Sequence, residues 1–176
     1  REVLLSVLAE PAMLIGLAAV GRYAGSFSLD GMMGSVSGGD WLAAAPVVVL
    51  AGVALFAVLL AETSRIPVDD PNTHLELTMI HEVMVLDHGG PDLAYILYAS
   101  ALKLWLLGAL MLGVLLPVAG LDQWTGAGVM AGGMAALAVA IGVVESVLAR
   151  LRMSRLPFFV GGALALSLFA LLLAYR

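Results

Sequence analysis

WLAAAPVVVLAGVALFAVLLA, from Trp41 to Ala61, runs without a charged side chain and is bounded by Asp40 on one side and Glu62 on the other. A helix needs ~20 predominantly apolar residues to cross the hydrocarbon of a bilayer, and this stretch meets that length. Pro46 is tolerable where neighbouring helices re-satisfy the backbone, and Trp41 suits the membrane interface. The segment reads as a membrane span, and the composition agrees. Of the 176 residues, 62% are hydrophobic and 12% charged, with a mean hydropathy of +1.05, whereas an average soluble domain has roughly one quarter charged residues.

Working outward from this span, the N-terminal side offers a second apolar stretch over about 3–20, interrupted by Glu10 and Pro11. Arg22 to Asp40 is a connector rich in Gly, Ser and Asp without the periodicity of a long helix. On the C-terminal side comes a polar island, AETSRIPVDDPNTHLELTMIHEVMVLDHGG, Ala61 to Gly90, which holds the densest run of ionisable groups, with all three histidines and six of the 13 acidic residues. Spans follow over about 93–117, containing Lys103, over 126–144, ending at Glu145, and over 156–174, with a turn at Leu121 to Thr125. The fold class is therefore an all-α polytopic transmembrane bundle, a single membrane domain over 1–176 with five spans and a loop at 62–92. No internal repeat of the inverted-transporter kind is present.

Basic residues orient the bundle, because short cytoplasmic loops are enriched in Lys and Arg. If the spans alternate, Arg1, Arg65, Arg150, Arg152 and Arg155 share a side, opposed by Arg22 and Arg176. That side, and loop 62–92 with it, is expected to face the cytoplasm. The chain has no cysteine, which excludes disulfides, thiolate metal sites and cysteine-held iron–sulfur clusters within it. Any redox centre must belong to a partner. The net charge of -5 and the lack of a basic run argue against nucleic acid.

Within the island, Asp70 can cap a helix opening at Pro71, and Gly89, Gly90 and Pro91 supply a stop. A helix over 71–88 would be roughly 27 Å long. It carries too many polar groups to span, so it belongs at the interface or against the bundle. At ~100° per residue, Glu76 and Asp87 fall within about 20° of each other beside Ile80 and Val83. His74, His81 and His88, seven residues apart, lie opposite. Carboxylates set among aliphatics tend toward raised pKa values and so toward proton carriage near neutral pH. The histidines stand about 10 Å apart along the axis, too far to share one metal ion, and the bland reading, polar contact with a partner or loop, stands against a relay role.

The charges inside spans need explanation, because an acidic side chain at mid-membrane costs about 2.5 to 3.5 kcal/mol on insertion scales. Glu10 points to a pathway or a partner, against a structural hydrogen bond ordering the Pro11 kink. Lys103 lies deep in its span, and pairing with a carboxylate competes there with snorkelling. Glu62 and Glu145 close spans, where an ordinary interfacial role is the competing reading.

The run AETSRIPVDDPNTHLELTMIHE resembles the cytoplasmic loop of the family that includes subunit 1 of NADH:quinone oxidoreductase and the membrane subunits of energy-converting nickel–iron hydrogenases. Glu62, Arg65, Pro67, Asp69, Pro71, Glu76 and Leu77 recur at the family's spacing. Arg1, Glu10 and AGSF at Ala24 to Phe27 resemble its segment around the fourth transmembrane helix. The five spans then correspond to the last five of eight, and Arg1 in place of an initiating methionine agrees with missing upstream sequence. Quinone-linked members carry PFDL and an acidic pair where this chain has PVDDPNTH, with Asn72 and His74 at the acidic places. The phrase RIPVDDPNTHLELTMIHE is more similar to formate hydrogenlyase subunit 4 and its hydrogenase-4 counterpart, as is ESVLARLR at Glu145. Asp87 in LDHGG stands where the family usually has Glu, and His88 and Gly89 depart further.

The resemblance implies a membrane-anchor and coupling subunit of a formate hydrogenlyase-like complex in a prokaryotic inner membrane. It would hold no cofactor itself, the nickel–iron centre and iron–sulfur clusters residing in partners. Those partners would be the hydrogenase large and small subunits, an iron–sulfur subunit and antiporter-like membrane subunits. Glu10, Glu62, Glu76, Asp87 and Lys103 would serve the proton path. Arg65, Asp69, Asp70, His74 and His81 would position the loop and meet the soluble arm. The competing readings are subunit 1 of a quinone-reducing complex, a stand-alone ion transporter resting on Glu10 and Lys103, and a purely structural anchor.

Overall fold

The computed structural model describes residues 2–38, 41–66, 68, 89–116, 118, 120–148 and 155–176. Among them the chain forms helices α1 (Glu2–Ala24), α2 (Leu29–Gly38), α3 (Trp41–Glu62), α4 (Pro91–Leu115), α5 (Gln123–Val147) and α6 (Leu156–Ala174), with no strand. All but α2 are long and apolar enough to cross a membrane. In a medium without water every backbone group must be paired within the segment, so continuous helix is the form such runs take.

The spans shift by two or three residues at several ends, α4 starting at Pro91 and α5 running on to Val147, and two departures change the connections. The connector folds into the last turn of α1 and the short helix α2, which the run of Gly and Ser does not announce. The turn expected at Leu121 to Thr125 is shorter, because α5 already begins at Gln123 with Asp122 at its N-cap. Pro11 and Pro46 lie inside α1 and α3 without ending either helix.

Helices α1, α3 and α6 pack on one another as a three-helix core. One end of that core is built from Ala9 and Ala12 of α1, Val58 and Ala61 of α3, and Leu156, Val160 and Ala163 of α6. The other end is built from Ala19, Val20, Val47, Ala51 and Ala170, with Met32 of α2 and Val114 of α4. Helix α3 is therefore antiparallel to both α1 and α6, which run parallel. Arg22, near the end of α1, accordingly stacks over the Tyr175 ring just beyond α6, 4.9 Å from its centroid.

The buried positions of α6, Leu156, Val160, Ala163, Ser167 and Ala170, recur every three or four residues and form the narrow seam of a knobs-into-holes contact. Facing them on α1 are Ala9, Ala12, Gly16 and Ala19. Lipid tails are as apolar as leucine, so helices in membranes associate through close backbone approach and interhelical hydrogen bonds rather than the hydrophobic effect. Both are present here. The hydroxyl of Ser167, fully buried, donates to the Ala12 carbonyl oxygen at 2.7 Å and also lies 3.1 Å from that of Ala163 on its own helix. A Cβ at Gly16 would stand 3.4 Å from the same hydroxyl, so alanine fits there and leucine does not.

Helix α4 leans on α3 and α2, and α5 packs outside it, against α4. Leu55, Leu59 and Leu60 of α3 join Met111 and Leu112 of α4 and Leu137 and Ile141 of α5 in one apolar cluster.

Replacing Ser167 by alanine is expected to lower stability by about 0.6 to 1.7 kcal/mol, between the average and the maximum measured for hydrogen bonds between membrane helices. Ala163→Leu, which drives a side chain into the seam, is expected to cost about 1 to 3 kcal/mol as an overpacking change. Unfolding of the purified protein by SDS titration measures both.

Candidate functional site

The site grows from the end of α3. The last turn closes with Arg65 N–H donating to the Leu60 carbonyl at 3.0 Å and Ser64 N–H donating to that of Ala61 at 3.4 Å, the six-to-one and five-to-two bonds of a Schellman cap. The cap requires a left-handed residue, and Ser64 takes that place with φ 51°. Glycine is the usual occupant because an L side chain pays ~1–2 kcal/mol there. The Thr63 hydroxyl donates to the Leu59 carbonyl at 2.6 Å. Val68 N–H donates to the Arg65 carbonyl at 2.9 Å, and the Val68 side chain is buried in the core against α1, α3 and α6. The turn from Glu62 to Val68 is thus held at both ends.

Two ion pairs of opposite polarity leave this turn. Glu62 accepts from Lys103 of α4, Nζ to Oε2 2.7 Å. Arg65 donates to Glu145 near the end of α5, Nη1 to Oε1 3.1 Å. A helix C-terminus carries partial negative charge that favours cations and disfavours acids, and α3 has no basic residue in its last turn. Lys103 and Arg65 supply the missing positive charge from outside the helix. The Glu62 side chain is 18% exposed and that of Lys103 50%, so the acid is the sheltered member.

Beneath Glu62 lies an open groove of about 550 Å³ between α1 and α4, with Val58 of α3 in its lining. Met13 and Leu14 come from α1, and Leu102, Leu106 and Leu107 from α4. The charged side chains in this lining are Glu10, Glu62 and Lys103. Ala9 and Ala12 face the core, which turns Glu10 outward to this groove, where it is exposed. Chemically the arrangement offers two carboxylates and one amine on a mostly apolar wall. A proton reaching Glu62 would break its ion pair and release Lys103, while Glu10 can accept or donate with no salt bridge of its own to break among the described residues.

Three expected site residues, Glu10, Glu62 and Lys103, therefore line one groove. Between snorkelling and pairing, Lys103 pairs. Arg65 stands on the same turn but reaches the other way, to Glu145. Glu76, Asp87, Asp69, Asp70, His74 and His81, with the helix expected over 71–88, lie outside the described residues. Sequence reasoning noted Glu145 as a span-closing acid and missed it as the partner of Arg65. Its position beside a basic loop was the available signal, and nothing in the spacing named the arginine it meets.

A double-mutant cycle on Glu62→Gln and Lys103→Gln is expected to return a coupling energy of about 0.2 to 1 kcal/mol, because half-exposed lysine lets solvent screen the pair. The cycle is read from SDS or thermal unfolding of each variant.

No curated protein and no solved structure gives a match to the chain. The NADH dehydrogenase family model matches residues 1–175, which leaves only the final residue outside it. By that match and by its five spanning helices, the chain belongs to the NADH dehydrogenase family and is a complex I subunit 1-like membrane subunit of an oxidoreductase complex.

Proposed function

We propose that the chain is the membrane-anchor and coupling subunit of an energy-converting nickel–iron hydrogenase complex of the formate hydrogenlyase kind, linking electron transfer in a soluble arm to ion translocation. The observation that carries the coupling role is the Glu62–Lys103 pair. It stands at the head of the family's loop motif and opens onto the groove that holds Glu10. A change of charge or conformation in the loop acts directly on that pair. Glu62 either keeps Lys103 or takes a proton and lets it go. Glu10, Glu76 and Asp87 extend the path, Arg65, Asp69 and Asp70 position the loop, and His74 and His81 meet the arm.

Asn72 and His74, at the places where quinone-linked members carry an acidic pair, favour the hydrogenase branch. The partners are then the hydrogenase large and small subunits, an iron–sulfur subunit and antiporter-like membrane subunits. The complex sits in a prokaryotic inner membrane with loop 62–92 toward the cytoplasm. One observation favours a second reading, subunit 1 of a proton-pumping NADH:quinone oxidoreductase: the groove below Glu62 is mostly apolar and has room for part of an isoprenoid quinone. Inhibition by quinone analogues distinguishes it.

Mass spectrometry of the complex that co-purifies from mildly solubilised membranes is expected to recover a nickel–iron large subunit with iron–sulfur partners. Flavin- and NADH-binding subunits in their place would move the assignment to quinone reduction. Glu62→Gln is expected to assemble normally and uncouple hydrogen turnover from ion movement in vesicles, and full coupling in that variant would remove Glu62 from the path.

A further inference from the structure

Arg65 and Glu145 are not in the groove, yet they bear on it through the backbone. Glu62 is the last residue of α3, Ser64 is two residues further in the left-handed conformation, and Arg65 follows at once. The cap that fixes Glu62 on the helix thus contains a residue that prefers to be elsewhere. Each of its two capping bonds holds that residue in place, and the longer, Ser64 N–H to the Ala61 carbonyl at 3.4 Å, is at the limit for such a bond. Left-handed serine relaxes by unwinding the last helical turn, which frees Thr63 from the Leu59 carbonyl and then displaces Glu62.

Beyond the capping bonds and the Thr63 bonds to the Leu59 carbonyl, two tertiary restraints among the described residues oppose that relaxation. Val68 is anchored in the core beyond the turn. Nearer to Ser64, Arg65 is tied to Glu145 at 3.1 Å. Glu145 stands on α5, which packs against α4, and Lys103 stands on α4. The tether therefore runs from the turn to α5, through packing to α4, and back to the turn by way of Lys103 and Glu62. This is a closed loop of contacts with the strained residue inside it.

We infer that Glu145 is a positioning residue: by pairing with Arg65 it holds Ser64 in the left-handed cap and so keeps the Glu62 carboxylate in register with Lys103. The inference rests on the reading of Glu62 as the coupling acid for its functional consequence, and on the cap geometry alone for its structural one. Glu145 itself carries no proton in this scheme.

The experiment compares Glu145→Gln, Ser64→Gly and the two combined in the purified complex and in membrane vesicles. Glycine adopts the left-handed conformation without a steric penalty, so Ser64→Gly removes the need for the tether and leaves coupling unchanged on its own. In Glu145→Gln, amide exchange at Thr63, Ser64 and Arg65 is expected to rise by a factor of about 1.4 to 5, as a partly exposed ion pair supplies, and coupling is expected to fall. Adding Ser64→Gly restores both. A general loss of packing in α5, or direct proton carriage by Glu145, would not be repaired by a glycine in the turn after α3. Unchanged exchange in Glu145→Gln overturns the inference, and so does raised exchange that Ser64→Gly fails to restore. If exchange rises and is restored while coupling stays full in these variants and in Glu62→Gln, the positioning role stands and the coupling role of Glu62 falls.

Discussion

A hydroxyl that can find no water holds the centre of this bundle. Ser167 lies wholly buried between α6 and α1, and its proton goes to a carbonyl oxygen that already belongs to another helix. That bond forms only where the two backbones come close, and they come close because Ala9, Ala12, Gly16 and Ala19 oppose Ala163 and Ala170. Bulkier residues would gain no hydrophobic advantage in lipid and would lose the contact. The seam also determines what α1 presents elsewhere. With Ala9 and Ala12 turned inward, Glu10 has no choice of face, and the carboxylate lies in the groove between α1 and α4.

The groove is open because α1 and α4 both pack on α3 instead of closing on each other. Its acidic rim survives because the cost of a sheltered charge is shared. Glu62 would be doubly disfavoured, by an apolar wall and by the negative end of its own helix, without the amine of Lys103 beside it. The neighbouring pair repeats the arrangement with the signs exchanged, the turn supplying the cation and α5 the acid. Neither pair is worth much as a surface interaction. Their weight is geometric, since they bind the end of α3 to two other helices.

Sequence made the helices legible because apolar length is a blunt signal that tertiary context rarely overrides. Glu10 and Lys103 were legible for the same reason, as charges out of place in hydrocarbon. What stayed hidden depends on coordinates rather than composition. The choice of Glu62 as the partner of Lys103, across the whole polar island, requires knowing that α4 returns alongside α3. Helix α2 was hidden behind the Gly and Ser of its own sequence, which weaken a helix locally but do not prevent it when Met32 has a core to enter. The left-handed Ser64 was hidden because a Schellman cap is ordinarily announced by glycine, and here the punctuation is absent.

Helix α5 has a different standing from the rest. Only 11% of its spanning window is buried inside the chain, against 56% for α3, so most of its surface is solvated by whatever surrounds the bundle. In a two-stage view of membrane folding, helices insert first and associate later. On that view α3 is a product of the second stage, whereas α5 owes its place chiefly to the first. The bilayer therefore acts as a structural component for α5, and the anchor that Glu145 offers is only as steady as the lipid or neighbouring subunit against which α5 rests.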